Sequence, residues 1–259
     1  MKQIGVGLAI SALFVTGVLA ASAESPDLEI FRPGVVNSRN RPLSARQLSV
    51  LLEGLRRWTG FQKLEFDKDG VLRTGDRVRI LDGSASARGL LTAAIDGADS
   101  FLLENHEGSS EVAFAAIGGA AVYLDGKKVT HDIWSVKFDF RDFARLRGSG
   151  ESLTAFDPAI NLLHELAHGV LRVQDAVDPS DQLGDCERHI NQMRREVGLP
   201  ERRSYEPDKQ LAVTPLCGQQ RLIGELVFVK PLPGKRTGKT SLLFDVEDVI
   251  QREGLVGTR

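Results

Sequence analysis

Phe156-Asp157-Pro158-Ala159-Ile160-Asn161-Leu162-Leu163-His164-Glu165-Leu166-Ala167-His168-Gly169 is the stretch on which the reading of this chain turns. Asp157 is a strong helix N-cap residue, and Pro158 falls at the first helical position, where a missing N–H costs nothing. Advancing about 100° per residue puts His168 about 40° round from His164, so the two imidazoles share one face, a turn apart. That spacing lets two ring nitrogens meet one tetrahedral zinc ion. Glu165, about 100° round, flanks the same face, where a carboxylate can hydrogen-bond a metal-bound water without itself ligating. Ala159, Leu162, Leu163, Leu166, Val170 and Val173 gather on the opposite side. The expectation is a helix with an apolar back against a core and a histidine front lining a cleft.

Working outward, the strand-rich block upstream is the context this helix needs. Ser100 to Leu103, Glu111 to Ile117, Ala120 to Leu124 and Ile133 to Phe140 are aliphatic and aromatic runs with Gly and Asp-Gly between them. They predict an antiparallel or mixed sheet. Further upstream, Ser44-Ala45-Arg46-Gln47 is a capping-box pattern opening a helix to about Trp58. Short strands are expected at Lys63 to Phe66, Val71 to Arg73 and Arg77 to Leu81, and a helix over Ala87 to Ala98, weakened by Gly89 and Gly97. Downstream, Leu183, Cys186, Ile190, Met193 and Val197 alternate at three and four residues, which predicts a second amphipathic helix ending at Gly198 and Pro200. Residues 200–220 read as irregular, and Leu222 to Lys230 with Thr240 to Phe244 as a closing hairpin. The fold class is α+β.

The composition sets limits on the rest. With 42% hydrophobic and 26% charged residues over 259 positions, the chain is ordinary globular material. A net charge of -2 offers nothing to a nucleic-acid backbone, so no nucleic-acid partner is expected. Lys2, the apolar run Ile4 to Ala20 and the small-residue site Ala21-Ser22-Ala23 form a signal-peptide pattern. Residues 1–23 are therefore expected to be removed, leaving a secreted or periplasmic protein with no membrane attachment. Residues 24–43, rich in Pro, Arg, Asn and Ser, read as an N-terminal arm or linker, and residues 44–259 as one domain. Two cysteines, Cys186 and Cys217, are expected to form a disulfide in an oxidising compartment.

A catalytic zinc usually takes three protein ligands and keeps one position open. Leu171 and Gln174 stand where the extended histidine motif would need Gly and His, so the third ligand lies further on. On the second helix Glu187 occupies one edge of the apolar stripe, with Asn191 a turn later, and His189 occupies the other edge. Helical geometry alone does not choose between them. Asp175, Asp178, Asp181 and Asp185 are further carboxylates within reach.

The motif followed by Glu187, then Asn191, Arg194, Arg195, and Arg203-Ser204-Tyr205, resembles the glutamate-zincin metallopeptidases, in particular the short effector-type enzymes of bacteria. The likeness covers about residues 157–205. It implies a zincin-like domain, a sheet packed with an active-site helix and a ligand-bearing helix, that binds Zn2+ through His164, His168 and Glu187. It further implies an exported zinc metallopeptidase acting on a protein or peptide substrate, with Glu165 as general base and Tyr205, or secondarily Arg203, as donor to the oxyanion. The competing expectation is a non-enzymatic zincin-like protein in which a fourth protein ligand, such as His189, closes a structural zinc site.

Overall fold

The structure, a computed structural model, describes residues 32–250 apart from 76, 78, 121–122, 125–126, 129–130, 179, 214–219 and 235. In chain order, β1 (Gly34–Asn37) leads into α1 (Ala45–Thr59), and the small hairpin β2 (Leu64–Phe66) and β3 (Leu72–Thr74) precedes α2 (Ala85–Asp96). Next come β4 (Ser100–Asn105), β5 (Ala115–Ala120), the short pair β6 (Tyr123–Leu124) and β7 (Lys127–Lys128), and β8 (Ile133–Phe138). A helical stretch follows: α3 (Phe140–Arg145), β9 (Arg147–Gly148), α4 (Gly150–Ala155), α5 (Pro158–Leu171) and α6 (Gly184–Glu196). The chain ends in β10 (Glu201–Arg202), β11 (Asp208–Val213), β12 (Gln220–Leu232), β13 (Arg236–Asp245) and α7 (Val246–Ile250).

The class is α+β, as the alternation of patterns implied. Four strands form a mixed sheet in the order β1-β4-β8-β5, with β1, β4 and β8 parallel and β5 antiparallel to β8 at the edge. Helices α1, α2, α5 and α6 pack with this sheet around one core that includes Leu51, Leu55, Trp58, Leu91, Phe101, Val136, Leu162, Leu163 and Ile190. A second sheet, β10-β12-β13-β9 with β11 also on β12, has its own smaller core of Phe114, Phe156, Phe228, Leu242 and Phe244.

Where local signals are strong, the elements fall as the sequence predicts. Both halves of the Ser44–Gln47 capping box form, and α1 stops at Gly60, whose φ of 74° suits a residue without Cβ. The closing hairpin pairs Ile223 with Asp245 through Leu232 with Arg236, longer than expected. Other expectations are corrected. Gly34–Asn37 is not an arm but an edge strand paired in parallel with β4, because Val35 and Val36 have buried places in the sheet. Among the described residues of Arg77 to Leu81, no strand forms, and Ile80 makes an isolated bridge with Phe61. Residues 200–220 include two strands, β10 and β11, paired to β12. The expected strand running to Phe140 stops at Phe138, since Asp139 caps α3 by accepting from Arg141 N.

The motif helix is anchored at both ends. Asp157 caps α5 by accepting from Ile160 N at 2.9 Å, and the same carboxylate accepts from Trp58 Nε1 at 3.1 Å and from Arg57, tying α5 to α1. At the other end Gly169 faces the sheet, where a Cβ would come within 2.4 Å of the Phe101 ring, so only glycine lets the helix lie this close. Asp157→Ala removes the cap and strands the Trp58 donor together. It is expected to lower unfolding free energy by about 2–3 kcal/mol, read from the denaturant midpoint. A change within experimental error would mean that α5 is held by its apolar face alone.

Candidate metal centre

The two histidines of α5 converge as the helical period requires. Their rings lie 4.9 Å apart between centroids at 76°, and the two Nε2 atoms are 3.2 Å from each other. The group that meets them is Asp175. Its Oδ1 is 3.1 Å from His164 Nε2 and its Oδ2 is 3.3 Å from His168 Nε2. Cys186 completes a cluster in which one ligand atom from each of His164, His168, Asp175 and Cys186 lies within 4.8 Å of all the others. This buried group could hold a metal ion.

Local structure explains why Asp175 arrives there. Helix α5 ends at Arg172 in the left-handed region (φ 57°), which turns the chain back across its own last turn. His168 Nδ1 then donates to the carbonyl of Val173 at 2.8 Å; a carbonyl can only accept, so in the neutral ring the lone pair is on Nε2, facing Asp175. Asp175 bridges to Gly184 at the start of α6. Gly184 has φ 70°, and a Cβ there would lie 2.3 Å from Ala176 N, so the loop closes only around glycine.

The electrostatics suit a cation. Asp175 Oδ1 is buried and, despite its 3.1 Å approach to His164, makes no hydrogen bond. Three electron-pair donors facing one another with one oxygen orphaned is the arrangement that a metal satisfies. Burial alone would lower the basicity of His168, but the Asp175 carboxylate and the charge of Glu165 outweigh it and push the imidazolium up to about 9. The same contacts with His164 and His168 overcome burial at Asp175 and drive its carboxyl far below the usual range. Metal and proton therefore compete for His168. Affinity for a divalent metal ion is expected to rise about tenfold per pH unit from pH 6.5 to about 9, as each ion displaces one proton. A competition titration with a chelator checks it, and a pH-independent affinity would contradict the assignment of His168.

Glu165 is 7% exposed, and burial raises its carboxyl against the opposing charges of His164 and His168. It accepts a hydrogen bond from the backbone N–H of Ile117 on β5, so the edge of the sheet runs beside the site. Tyr205 stacks on His164 with centroids 6.0 Å apart and planes at 12°, and its hydroxyl bonds to Asp175. Burial and the neighbouring Asp175 and Glu165 charges push its ionisation far up, so it is a neutral donor.

Two of the expected residues need correction. Glu187 does not join the cluster: its carboxylate is taken by Arg194 and Arg202, and it faces the Nδ1 side of His164 at 3.7 Å. Asp175, one of the four aspartates left open by the sequence, stands where the third ligand was placed. The other three turn away, Asp181 and Asp185 to Arg188 and Asp178 to Ser180. Arg203 is exposed and paired with Asp208 at 2.6 Å, so the oxyanion role does not extend to it. His189 stays outside the cluster, with its Nε2 buried and unpartnered. His106, away from the cluster, is 5% exposed between Arg41 and Glu104. Cys186 is a free thiol in the core that donates to the His164 carbonyl, not half of a disulfide, while Cys217 lies outside the described residues.

A groove of about 620 Å3 lined by Phe61, Arg77, Ile80, Arg88 and α2 residues shares no residue with this cluster, so chemistry and not concavity locates the site. Among the described residues no helix is long and apolar enough to cross a membrane. The fold and site thus define an α+β protein with a buried histidine–aspartate cluster that could hold a metal ion. No family model, curated protein or solved structure matches the chain.

Proposed function

We propose that this protein is a zinc-dependent peptidase of zincin type, with His164, His168 and Asp175 as metal ligands. The observation that carries the reading is the convergence of a His, His, Asp donor set with Glu165, whose carboxylate is itself tied to the β5 edge through Ile117 N–H. Zinc held there would supply a Lewis acid for the scissile carbonyl and lower the pKa of a bound water. Glu165 takes the proton of the attacking water; its burial raises its basicity towards what a general base needs. Tyr205, neutral and beside Asp175, donates a hydrogen bond to the developing oxyanion. Among the described residues β5 pairs only with β8, which leaves its outer edge for an extended peptide to add as a further strand. That edge favours a protein or peptide over a compact small-molecule substrate.

The export expectation stays part of this proposal. Its basis, Ala21-Ser22-Ala23, lies outside the described residues. The zincin likeness rests on the motif helix and its neighbours.

A second reading has one observation behind it: Cys186 Sγ lies within the cluster, and as a fourth ligand it would close a structural zinc site. Burial holds that thiol well above its usual range, and its S–H is engaged by the His164 carbonyl, which favours an open fourth position. Zinc content of the purified mature protein, then a peptide-library digest with and without chelator, tests the proposal. Stoichiometric zinc with chelator-sensitive cleavage supports it. Zinc without any hydrolysis, and lost on Cys186→Ala, would establish the structural site instead.

A further inference from the structure

A group of deeply buried charges lies one layer behind the site. Glu187 is 0% exposed and Arg194 2%, and Arg202 joins them at 8%. Glu187 accepts from Arg194 through one oxygen and from Arg202, at 3.3 Å, through the other. Asn191 accepts from Arg194 Nη1 and from Arg202 N, both at 2.8 Å, and donates to the Arg202 carbonyl, while Arg194 Nε donates to the Ala155 carbonyl at 2.9 Å. Burying three charges is expensive, and apolar residues of similar volume would often serve stability as well. Such a network points to a task beyond holding two elements together.

Its placement shows the task. Glu187 Oε2 lies 3.7 Å from His164 Nδ1, on the opposite side of the ring from Asp175, which approaches Nε2. Negative charge at Nδ1 favours the proton there and leaves the Nε2 lone pair pointing into the cluster. On His168 the Val173 carbonyl does the same at Nδ1. The two imidazoles are thus set by separate acceptors, one a carbonyl of the returning loop and one a carboxylate of α6. Arg202 extends the arrangement to the donor side, because it also donates to the Tyr205 carbonyl and lies 5.2 Å over the Tyr205 ring.

We propose that Glu187 is a positioning residue and not a metal ligand: it orients His164 through Nδ1 and, through Arg202, seats Tyr205 against the site. This rests on the metal-site reading above. The test uses the zinc-loaded full-length mature protein, with zinc affinity measured by chelator competition and the His164 nitrogens read by long-range 1H–15N NMR. Wild type is expected to show His164 bound through Nε2 with a proton on Nδ1. Glu187→Gln is expected to weaken zinc binding about 10–100-fold, the range for partners that orient a ligand.

The control is Glu196→Gln. Glu196 sits on the same helix and accepts from Ser84 and Ser86 of the α2 N-terminus, away from the cluster. Its loss should leave zinc affinity within about twofold, since distant sites act independently. If Glu187→Gln fails to fold, Glu187→Asp keeps a charge for both arginines while drawing it back from Nδ1, and the same weakening is expected. Unchanged affinity in a folded Glu187 variant, or His164 bound through Nδ1, overturns the inference. A loss as large as that of an Asp175 variant would make Glu187 a ligand and overturn it too. A wild type that takes up no zinc refutes the metal reading itself, which is a distinct result from a zinc protein indifferent to position 187.

Discussion

Glu165→Gln is expected to leave zinc bound and to slow peptide hydrolysis by ~100-fold or more, the low end of what a general base contributes. The amide keeps the size of the side chain and can still accept from Ile117 N–H through its carbonyl oxygen, so the packing between α5 and β5 survives. What it loses is the capacity to take a proton. Because the native carboxylate is buried and raised, the proton it accepts is held more firmly than on an exposed glutamate, which makes the substitution costly to turnover and cheap to structure. The measurement is kcat on a cleaved library peptide with zinc content determined on the same sample. Full activity in the variant would remove Glu165 from the mechanism.

Asp175→Ala is expected to weaken zinc binding by more than ~100-fold, beyond the range for residues that only orient a ligand. Asp175 touches both imidazoles, so its loss removes one donor and unsettles the other two. A readout independent of metal accompanies it. In the metal-free protein His168 stands at about 9 with Asp175 as its leading support against burial, so in the variant its titration should fall towards or below the ordinary 6.5. The sign for stability follows. The ion pair stabilises the metal-free fold fully below about pH 6.5 and is lost as pH rises through about 9. The variant should therefore show a smaller decline in stability across that window. If Asp175→Ala keeps zinc while a Glu187 variant loses it, the ligand set expected from the resemblance is restored.

The contrast between these two carboxylates shows how sequence and structure divide the information. The positions of His164, Glu165 and His168 on one face of α5 follow from 3.6 residues per turn, and the Asp157-Pro158 start follows from the chemistry of helix ends. The amphipathic stripe of α6 and the long β12–β13 hairpin are of the same kind. In each case interactions a few residues apart decide the outcome, so the amino-acid order suffices. Tyr205 could be named from its neighbours, but its stacking on His164 depends on a chain that returns from β10.

Which carboxylate meets the two histidines was not decided locally. Glu187 lies on a helix edge that the sequence can place, yet Arg194 two turns on and Arg202 beyond the helix end claim its oxygens once both are buried, and a carboxylate so engaged has little left for a metal. Asp175 sits in an irregular loop with no period to read. It reaches the histidines because Arg172 takes a left-handed turn and Gly184 lets the loop close, and neither is visible as a pattern. The same holds for β1, a strand only because β4 offers it an edge, and for Cys186, whose burial against the His164 carbonyl depends on the packing of α6 on α5. Residue order by itself determined the helix that carries His164, Glu165 and His168. Tertiary structure decided which carboxylate meets it, because that depends on competition among groups brought together only by folding.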